Sequence, residues 1–141
     1  MFEAALVCLA MNIYHEAKNQ PSIGQIAVAQ VVMNRVMDSR YPDDVCSVVT
    51  QGQTYSWNPS QPIRHKCQFS WYCDGKSDQP KDGEAWQNAM LLAGGVLLGR
   101  IDDMVEGSTH YHATYVQPDW AQTKTYVVRI DDHIFYRWEK R

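Results

Sequence analysis

The sequence has little phenylalanine, no long apolar run and no excess of basic charge. Its 141 residues contain 3 Phe beside 5 Trp and 8 Tyr, so most of the aromatic rings carry a hydrogen-bonding group. No apolar run approaches the ~20 residues that a membrane-spanning helix needs. The net charge of −3 lacks the basic footprint of nucleic-acid binding. The remaining composition, 45% hydrophobic and 21% charged, is typical of globular proteins, and the length predicts one domain over residues 1–141.

Motifs of several common protein classes are also missing. The chain has no glycine-rich phosphate loop, no elbow motif around a serine nucleophile and no internal repeat. Its N-terminal segment is apolar, but Glu3 stands where a secretion signal carries basic residues, and the segment continues into a helical pattern. We therefore interpret residues 1–10 as part of the fold and expect no signal peptide.

The cysteines do not form a recognisable metal or redox motif. They occur at positions 8, 46, 67 and 73, a spacing that fits neither a zinc knuckle nor a thioredoxin motif. Cys8 follows the apolar pattern of a helix, so we expect a buried thiol without a partner. A loop disulfide among Cys46, Cys67 and Cys73 is compatible with the spacing and would require a destination outside the reducing cytosol. Free thiols at these three positions are the alternative.

A carboxylate ends the apolar stripe of the first predicted helix. Leu6, Leu9 and Ile13 recur at helical spacing. The next position of that series is Glu16, about 20° from Leu9 around the helix axis. Partial burial raises the pKa of a carboxyl group toward neutral pH, as a general acid for glycoside cleavage requires. A solvated glutamate at the helix edge, or one paired with Arg35, is the alternative.

Two further helices are predicted on either side of a long polar stretch. The second helix opens at Ser22 with a capping box completed by Gln25, and its circumference is apolar almost all round, so it belongs in the middle of the domain. Residues 50–84 are rich in Gly, Pro, Gln, Ser and Asp and predict an irregular loop of the kind that often carries function. A third helix is predicted over 83–98, with Asp82 as its cap.

The C-terminal part predicts a small antiparallel sheet. Alternating residues from Thr109 to Tyr115 indicate a strand, and two further strands over 126–130 and 133–138 flank a turn at Asp131-Asp132. Helices on the N-terminal side and a sheet on the other side place the chain in the α+β class.

A pair of histidines in this strand raises the possibility of a metal. His110 and His112 project to one face and form a zinc site if His15 or a carboxylate supplies a third ligand. No third ligand stands at a diagnostic spacing, and hydrogen bonding or packing of both rings is the alternative. We predict neither a metal centre nor a cofactor.

An aromatic and amide cluster within the irregular stretch predicts a groove for sugars. Aromatic rings stack on sugar faces, and amide groups bind hydroxyl and N-acetyl groups. The surplus of Trp and Tyr gathers in this stretch, which also holds Tyr55 and Trp57, and around the histidine pair. A loop that Phe69 and Trp71 pin to the core is the alternative. The cluster consists of Gln68, Phe69, Ser70, Trp71 and Tyr72.

Four separated motifs occur in order along nearly the whole chain. They are Ile13-Tyr14-His15-Glu16-Ala17, the helix Gly24–Ala29 continuing through Val32–Val36, Gln68-Phe69-Ser70-Trp71, and His133-Ile134-Phe135-Tyr136. Together these motifs resemble the cell-wall hydrolases of the SleB/CwlJ type, which are the spore-cortex-lytic enzymes and their relatives in other bacteria and in bacteriophages.

This resemblance implies a lysozyme-like or lytic-transglycosylase-like fold that cleaves the bond between MurNAc and GlcNAc in peptidoglycan. It implies Glu16 as the catalytic acid and base. The family commonly continues its motif as Glu-Ala-Arg-Gly-Glu, whereas this chain has Gln20 in place of the second glutamate. The predicted substrate-binding residues are Tyr14, Gln68, Phe69, Ser70, Trp71, Tyr111 and His112.

The expected reaction follows from the number of carboxylates. A hydrolytic muramidase needs a second carboxylate at a set distance from the acid, and the sequence marks none out. A lytic transglycosylase needs one glutamate, because the muramic C6 hydroxyl attacks and leaves a 1,6-anhydro ring. We predict the transglycosylase, with the muramidase as the alternative. A zinc N-acetylmuramoyl-L-alanine amidase built on His110 and His112, and a non-catalytic wall-binding module, are the alternatives from other classes.

The predicted context is a phage endolysin acting as a monomer at the bacterial cell wall or periplasm. Because we expect neither a signal peptide nor a separate binding domain, the chain would be made in the host cytoplasm and released by a holin-type, membrane-permeabilising partner. A catalytic fragment of a longer secreted protein is the alternative. Neither nucleic acid nor membrane insertion is expected.

Overall fold

The computed structural model describes residues 2–140, which contain helices, two small antiparallel sheets and the segments that connect them. The helices are α1 (Phe2–Ala17), α2 (Ser22–Val36), α3 (Val45–Val49) and α4 (Gly83–Leu97). A hairpin is formed by β1 (Gly52–Tyr55) and β2 (Asn58–Cys67), and a three-stranded sheet in the order β3-β5-β4 by β3 (His110–Ala113), β4 (Thr125–Ile130) and β5 (His133–Arg137). Short 3₁₀ helices lie at Ser70–Cys73 and Asp119–Thr123. The predicted α+β class is confirmed.

Helix α2 lies at the centre of the fold because its apolar residues enter two hydrophobic clusters. Val32 packs in a cluster with residues of α1, α3 and α4. Val28 and Val31 pack in a second cluster together with Phe135 of β5. Burial of each such side chain contributes about 1.5–3 kcal/mol to the free energy of folding. The helix therefore joins the helical part of the molecule to the sheet, which confirms its predicted central place.

The predicted start of α2 is confirmed, but its predicted cap is wrong. Pro21 occupies the cap position and Ser22 is already the first helical residue, so the Ser22 hydroxyl does not cap the helix. The Gln25 side chain instead donates to the Gln20 carbonyl at 2.9 Å. In α4 the side chain of Asp82 caps the helix, as predicted.

Two disulfides are present, and one of them overturns a prediction. Cys67 pairs with Cys73, and Cys8 pairs with Cys46. Cys8 is therefore not the buried, unpaired thiol that its apolar setting predicted. The physical reason is the short helix α3, which packs against α1 and brings the Cα atoms of Cys8 and Cys46 to 5.2 Å.

The stretch 50–84, predicted as one irregular loop, contains the β1–β2 hairpin. A two-residue turn, Ser56–Trp57, joins the strands, and the pairing register shifts twice along them. Pro59 and Pro62 in β2 suggested a loop, because proline breaks a central strand. In a ribbon of only two strands each strand is an edge, where proline is tolerated.

The C-terminal sheet is held in place by the end of α2. Asn34 donates to the Ser108 carbonyl at 3.0 Å, and Arg35 Nε donates to the Thr109 carbonyl at 2.7 Å. These bonds fix the segment that leads into β3. The hairpin predicted around Asp131-Asp132 is confirmed by the antiparallel pairing of β4 and β5.

None of the helices within residues 2–140 combines the length and apolar character needed to cross a bilayer.

Candidate active site

Glu16 opens on a cleft of about 300 Å³ between the end of α1 and the sheet. Residues 15–20, at the C-terminal end of α1 and in the following turn, form one side of the cleft. The ends of the strands form the other side. The carboxyl group at the end of the apolar stripe is thus partly buried and still reaches open space. The residues on the strand side are Ala113, Tyr115, Asp132 and His133.

Tyr111 donates its phenolic hydrogen to Oε1 of Glu16. Burial raises the pKa of Glu16 above its ordinary value, while this hydrogen bond and the nearby charges of His15 and Arg35 lower it by less. Burial raises the pKa of Tyr111 well above its ordinary value, and the adjacent carboxylate raises it further. Glu16 therefore keeps its proton at a higher pH than an exposed glutamate does, and Tyr111 remains a hydrogen-bond donor.

Arg35 is a buried cation near this pair. Its guanidinium lies over the ring of Phe69, at 5.2 Å from the ring centroid, and its Nε is bonded to the Thr109 carbonyl. Burial lowers the pKa of Arg35 itself. Within the described chain Arg35 forms no ion pair with Glu16, so the paired alternative from the sequence does not apply. The Arg35 charge lowers the Glu16 pKa without occupying its oxygens.

Trp71 supports the helix that carries Glu16. Its indole Nε1 donates to Oδ1 of Asn12 at 2.9 Å, and its ring stacks on His15 with centroids 4.7 Å apart. Nε2 of His15 lies 2.8 Å from the Asp78 carbonyl oxygen. Sequence reasoning missed Asn12, although it stands four positions before Glu16 and so on the same helix face.

Tyr14 anchors the segment before α4. The ring is buried, and its hydroxyl accepts hydrogen bonds at 3.0 Å from the backbone N–H groups of Lys81 and Asp82. The bond from Asp82 is the largest cause of the lowered pKa of Tyr14. The ring and the hydroxyl of Tyr14 are thus both engaged within the protein, and substrate binding by Tyr14 stays a prediction.

The segment 68–71 divides into two pairs. Phe69 and Trp71 are buried in the core. Both rings therefore hold the segment against the core, which was the alternative to a sugar-binding role. Gln68 and Ser70 are exposed, but neither lines the Glu16 cleft. Substrate binding by these four residues stays a prediction.

His112 lies on the opposite face of β3 from Tyr111, because side chains alternate along a strand. Its Nδ1 donates to the Ala113 carbonyl at 2.8 Å, and its Nε2 accepts from the Tyr136 hydroxyl at 2.9 Å. The structure therefore does not bring His112 to the Glu16 carboxylate. Among residues 2–140 no group of three or more His, Cys, Asp or Glu side chains is arranged to hold a metal ion.

Asp132 brings a second carboxylate into the cleft, which the sequence did not single out. The Gln20 amide donates to Oδ2 of Asp132 at 3.3 Å, and the Asp132 N–H donates to Oε1 of Gln20 at 3.3 Å. Only tertiary folding joins these two positions, so no local pattern could reveal the pair. Gln20, which replaces the second glutamate of the motif, thus holds a carboxylate from the β4–β5 turn beside the cleft.

A family model described as Cell Wall Hydrolase matches residues 19–136, which is most of the chain and begins just after Glu16. A spore cortex-lytic enzyme of Halalkalibacterium halodurans is 30% identical over 128 residues, covering 90% of this chain and 33% of that protein. A spore cortex-lytic enzyme of Bacillus subtilis is 25% identical over 127 residues, covering 90% and 35%. The chain spans about a third of the length of these curated relatives.

Two solved structures have a similar fold. One is the catalytic domain of the Bacillus cereus SleB protein, with a TM-score of 0.67 and 21% identity, covering 96% of this chain and 91% of that chain. The other is the catalytic domain of the germination-specific lytic transglycosylase SleB from Bacillus anthracis, with a TM-score of 0.67 and 22% identity, covering 94% and 93%. At these identities the likeness concerns the fold, and it confirms the fold type that the motifs implied.

Proposed function

The chain belongs to the cell wall hydrolase family, and from this premise we propose that it cleaves the glycan strand of peptidoglycan with Glu16 as the acid. The observation that carries the proposal is the setting of Glu16, a partly buried carboxyl group with a raised pKa at the wall of an open cleft. Cleavage of a glycosidic bond requires a proton on the bridging oxygen of the leaving sugar. A carboxyl group with a raised pKa can supply that proton.

We propose the lytic transglycosylase reaction. Protonated Glu16 donates to the oxygen that links MurNAc to GlcNAc while the bond from that oxygen to the muramic C1 breaks. The Glu16 carboxylate then accepts the proton of the muramic C6 hydroxyl, whose oxygen bonds to C1 and closes the 1,6-anhydro ring. Glu16 ends protonated, no water is consumed, and one carboxyl group suffices. A structural neighbour that carries the name lytic transglycosylase supports this choice.

The hydrolytic muramidase remains the second candidate because Asp132 lines the same cleft. In hydrolysis a second carboxylate either activates water or binds the sugar covalently. The Gln20 amide donates to the Asp132 carboxylate and would keep it oriented for either task. Asp132 is thus the residue on which the two candidate reactions differ.

Product analysis separates the two reactions. We expect mass spectrometry of muropeptides released from purified sacculi to find 1,6-anhydro ends, which are lighter than reducing ends by one water. We expect Asp132→Asn to keep a cleavage rate close to that of the parent, because the transglycosylase does not require that charge. Asp131→Asn is the matched control in the same turn. Reducing ends together with a 100-fold loss in Asp132→Asn would contradict the transglycosylase and establish the muramidase.

The Tyr111→Phe variant tests the protonation of Glu16. The lost hydrogen bond lowers the Glu16 pKa in the parent protein, so its removal raises that pKa further. Activity needs protonated Glu16 and falls as the pH rises through this pKa. We therefore expect the alkaline limb of the kcat/KM profile to move to higher pH, because the charged form of Glu16 loses a stabilising hydrogen bond.

Tyr126→Phe is the control for this measurement, because Tyr126 is exposed on β4. Its pH profile is expected to match that of the parent. A limb that stays in place or moves down in Tyr111→Phe would show that Glu16 is not the group whose protonation limits cleavage.

The zinc amidase has less support than either glycan-cleaving reaction. It relies on His112, whose two ring nitrogens are both engaged by protein partners. The phage origin, the monomeric state and the holin-type release partner stay predictions from the sequence.

A further inference from the structure

The β1–β2 hairpin stands apart from the hydrophobic core. None of residues 52–67 is buried, and none belongs to either hydrophobic cluster. A hairpin of two strands is marginal in water on its own. This one is fastened at its base by the Cys67–Cys73 disulfide and by the Gln68 N–H, which donates to the Gln51 carbonyl at 2.9 Å. The fold thus holds in a fixed place an element that adds nothing to its core.

The tip of this hairpin presents a flat aromatic surface. Trp57 lies in the two-residue turn and is 75% exposed. One face of its indole stacks on Tyr55, with ring centroids 5.0 Å apart and an angle of 28° between the planes. The degree of exposure leaves the other face open to solvent. An indole gains little from this position in folding, and its open face is available to a ligand that stacks on it.

The hairpin is also locally basic within an acidic protein. No Asp or Glu occurs between Asp44 and Asp74, although the whole chain carries a net charge of −3. In this interval β2 exposes Arg64, His65 and Lys66. The turn region next to Trp57 adds hydroxyl and amide groups rather than apolar side chains. An anionic polymer with apolar ring faces and many hydroxyl groups matches this combination.

We propose that the β1–β2 hairpin, none of whose residues lines the Glu16 cleft, binds an anionic glycan. The Trp57–Tyr55 pair stacks on the apolar face of a sugar ring, and Arg64 and Lys66 pair with carboxylates along the strand. Under the proposed function, on which this identification rests, the ligand is the peptidoglycan strand with the carboxylates of its stem peptides. The hairpin then holds the insoluble wall while Glu16 acts on a bond elsewhere in it.

Co-sedimentation with purified sacculi tests the site. The protein carries Glu16→Gln, so that the sacculi stay intact, and is compared with and without Trp57→Ala. We expect Trp57→Ala to weaken binding roughly 10-fold, the size of one lost aromatic contact. Arg64→Gln with Lys66→Gln is expected to weaken binding and to flatten its salt dependence. Leu91→Ala is the matched control, because Leu91 on α4 is 76% exposed, and its binding is expected to match that of the parent.

A second measurement separates binding to the wall from catalysis. With Glu16 present, Trp57→Ala is expected to lose a larger fraction of its rate on insoluble sacculi than on short soluble glycan fragments. Equal sedimentation of Trp57→Ala and its parent would overturn the proposal. Binding that depends on Trp57 for vesicles of anionic phospholipid, but not for sacculi, would overturn it in favour of a membrane surface.

The two proposals fail in different ways. If no glycan is cleaved but sedimentation still depends on Trp57, the proposed function is wrong and the hairpin site stands. If soluble glycan is cleaved but sedimentation does not depend on Trp57, the hairpin site is wrong and the proposed function stands.

Discussion

Replacing Glu16 with Gln is expected to lower the release of fragments from peptidoglycan by about 10²–10⁴-fold, the usual contribution of a general acid. Gln has nearly the same shape and still accepts the hydrogen bond from Tyr111, so the fold is expected to persist. It has no acidic proton to give to a leaving glycosidic oxygen. Clearing of purified sacculi and chromatography of the released muropeptides measure the rate, and circular dichroism measures the fold.

Glu84→Gln is the matched control for this substitution. Glu84 is an exposed carboxylate in the first turn of α4, outside the Glu16 cleft, so its variant is expected to retain the parental rate. A fully active Glu16→Gln variant would contradict the assignment of the acid. A parent chain that binds sacculi but cleaves no glycan would instead support the non-catalytic wall-binding module.

Removing the Cys8–Cys46 disulfide is expected to lower the free energy of unfolding by about 3–4 kcal/mol. The bond closes a loop of 38 positions between α1 and α3, and the loss of this constraint increases the entropy of the unfolded chain. In a domain of this size the change corresponds to a fall in Tm of about 10 °C. Urea and thermal unfolding of Cys8→Ala with Cys46→Ala measure the effect.

The second disulfide supplies an internal comparison. Cys67 and Cys73 are only 6 positions apart, so their bond restricts the unfolded chain less. The Cys67→Ala with Cys73→Ala variant is expected to lower the free energy of unfolding by about 2 kcal/mol. A smaller loss for the long loop than for the short one would contradict the entropic explanation. Both losses should also appear in the parent protein after reduction with a thiol.

The parts of the fold that the sequence predicted are those with a local signal. Apolar spacing located α1 and α2, and Asp82 marked the start of α4. The turn at Asp131-Asp132 located the last two strands. The β1–β2 hairpin was missed because Pro59 and Pro62 carry the local signature of a loop, and only pairing with β1 makes them part of a strand.

In the candidate site, too, the residues with a local signal could be predicted and the contacts between distant residues could not. Glu16 could be predicted as a candidate site residue because its place on an apolar stripe is a property of a single helix. Tyr111 was selected as an aromatic residue, but its bond to Glu16 joins positions 95 apart and depends on how the sheet packs on α1. Asp132 and the Cys8 disulfide partner also depend on long-range packing. Patterns within one element cannot reveal such contacts.

Because Tyr111 follows Glu16 by 95 positions, the hydrogen bond between them can form only late in the synthesis of the chain. A ribosome makes α1 first and β3 only 95 residues after Glu16, so an unfinished chain holds Glu16 without the sheet that buries it. In that state the carboxyl group lacks both the burial that raises its pKa and the hydrogen bond from Tyr111. Under the proposed function, Glu16 therefore acquires the setting of an acid only when the sheet packs on α1, which ties the chemistry to completion of the fold.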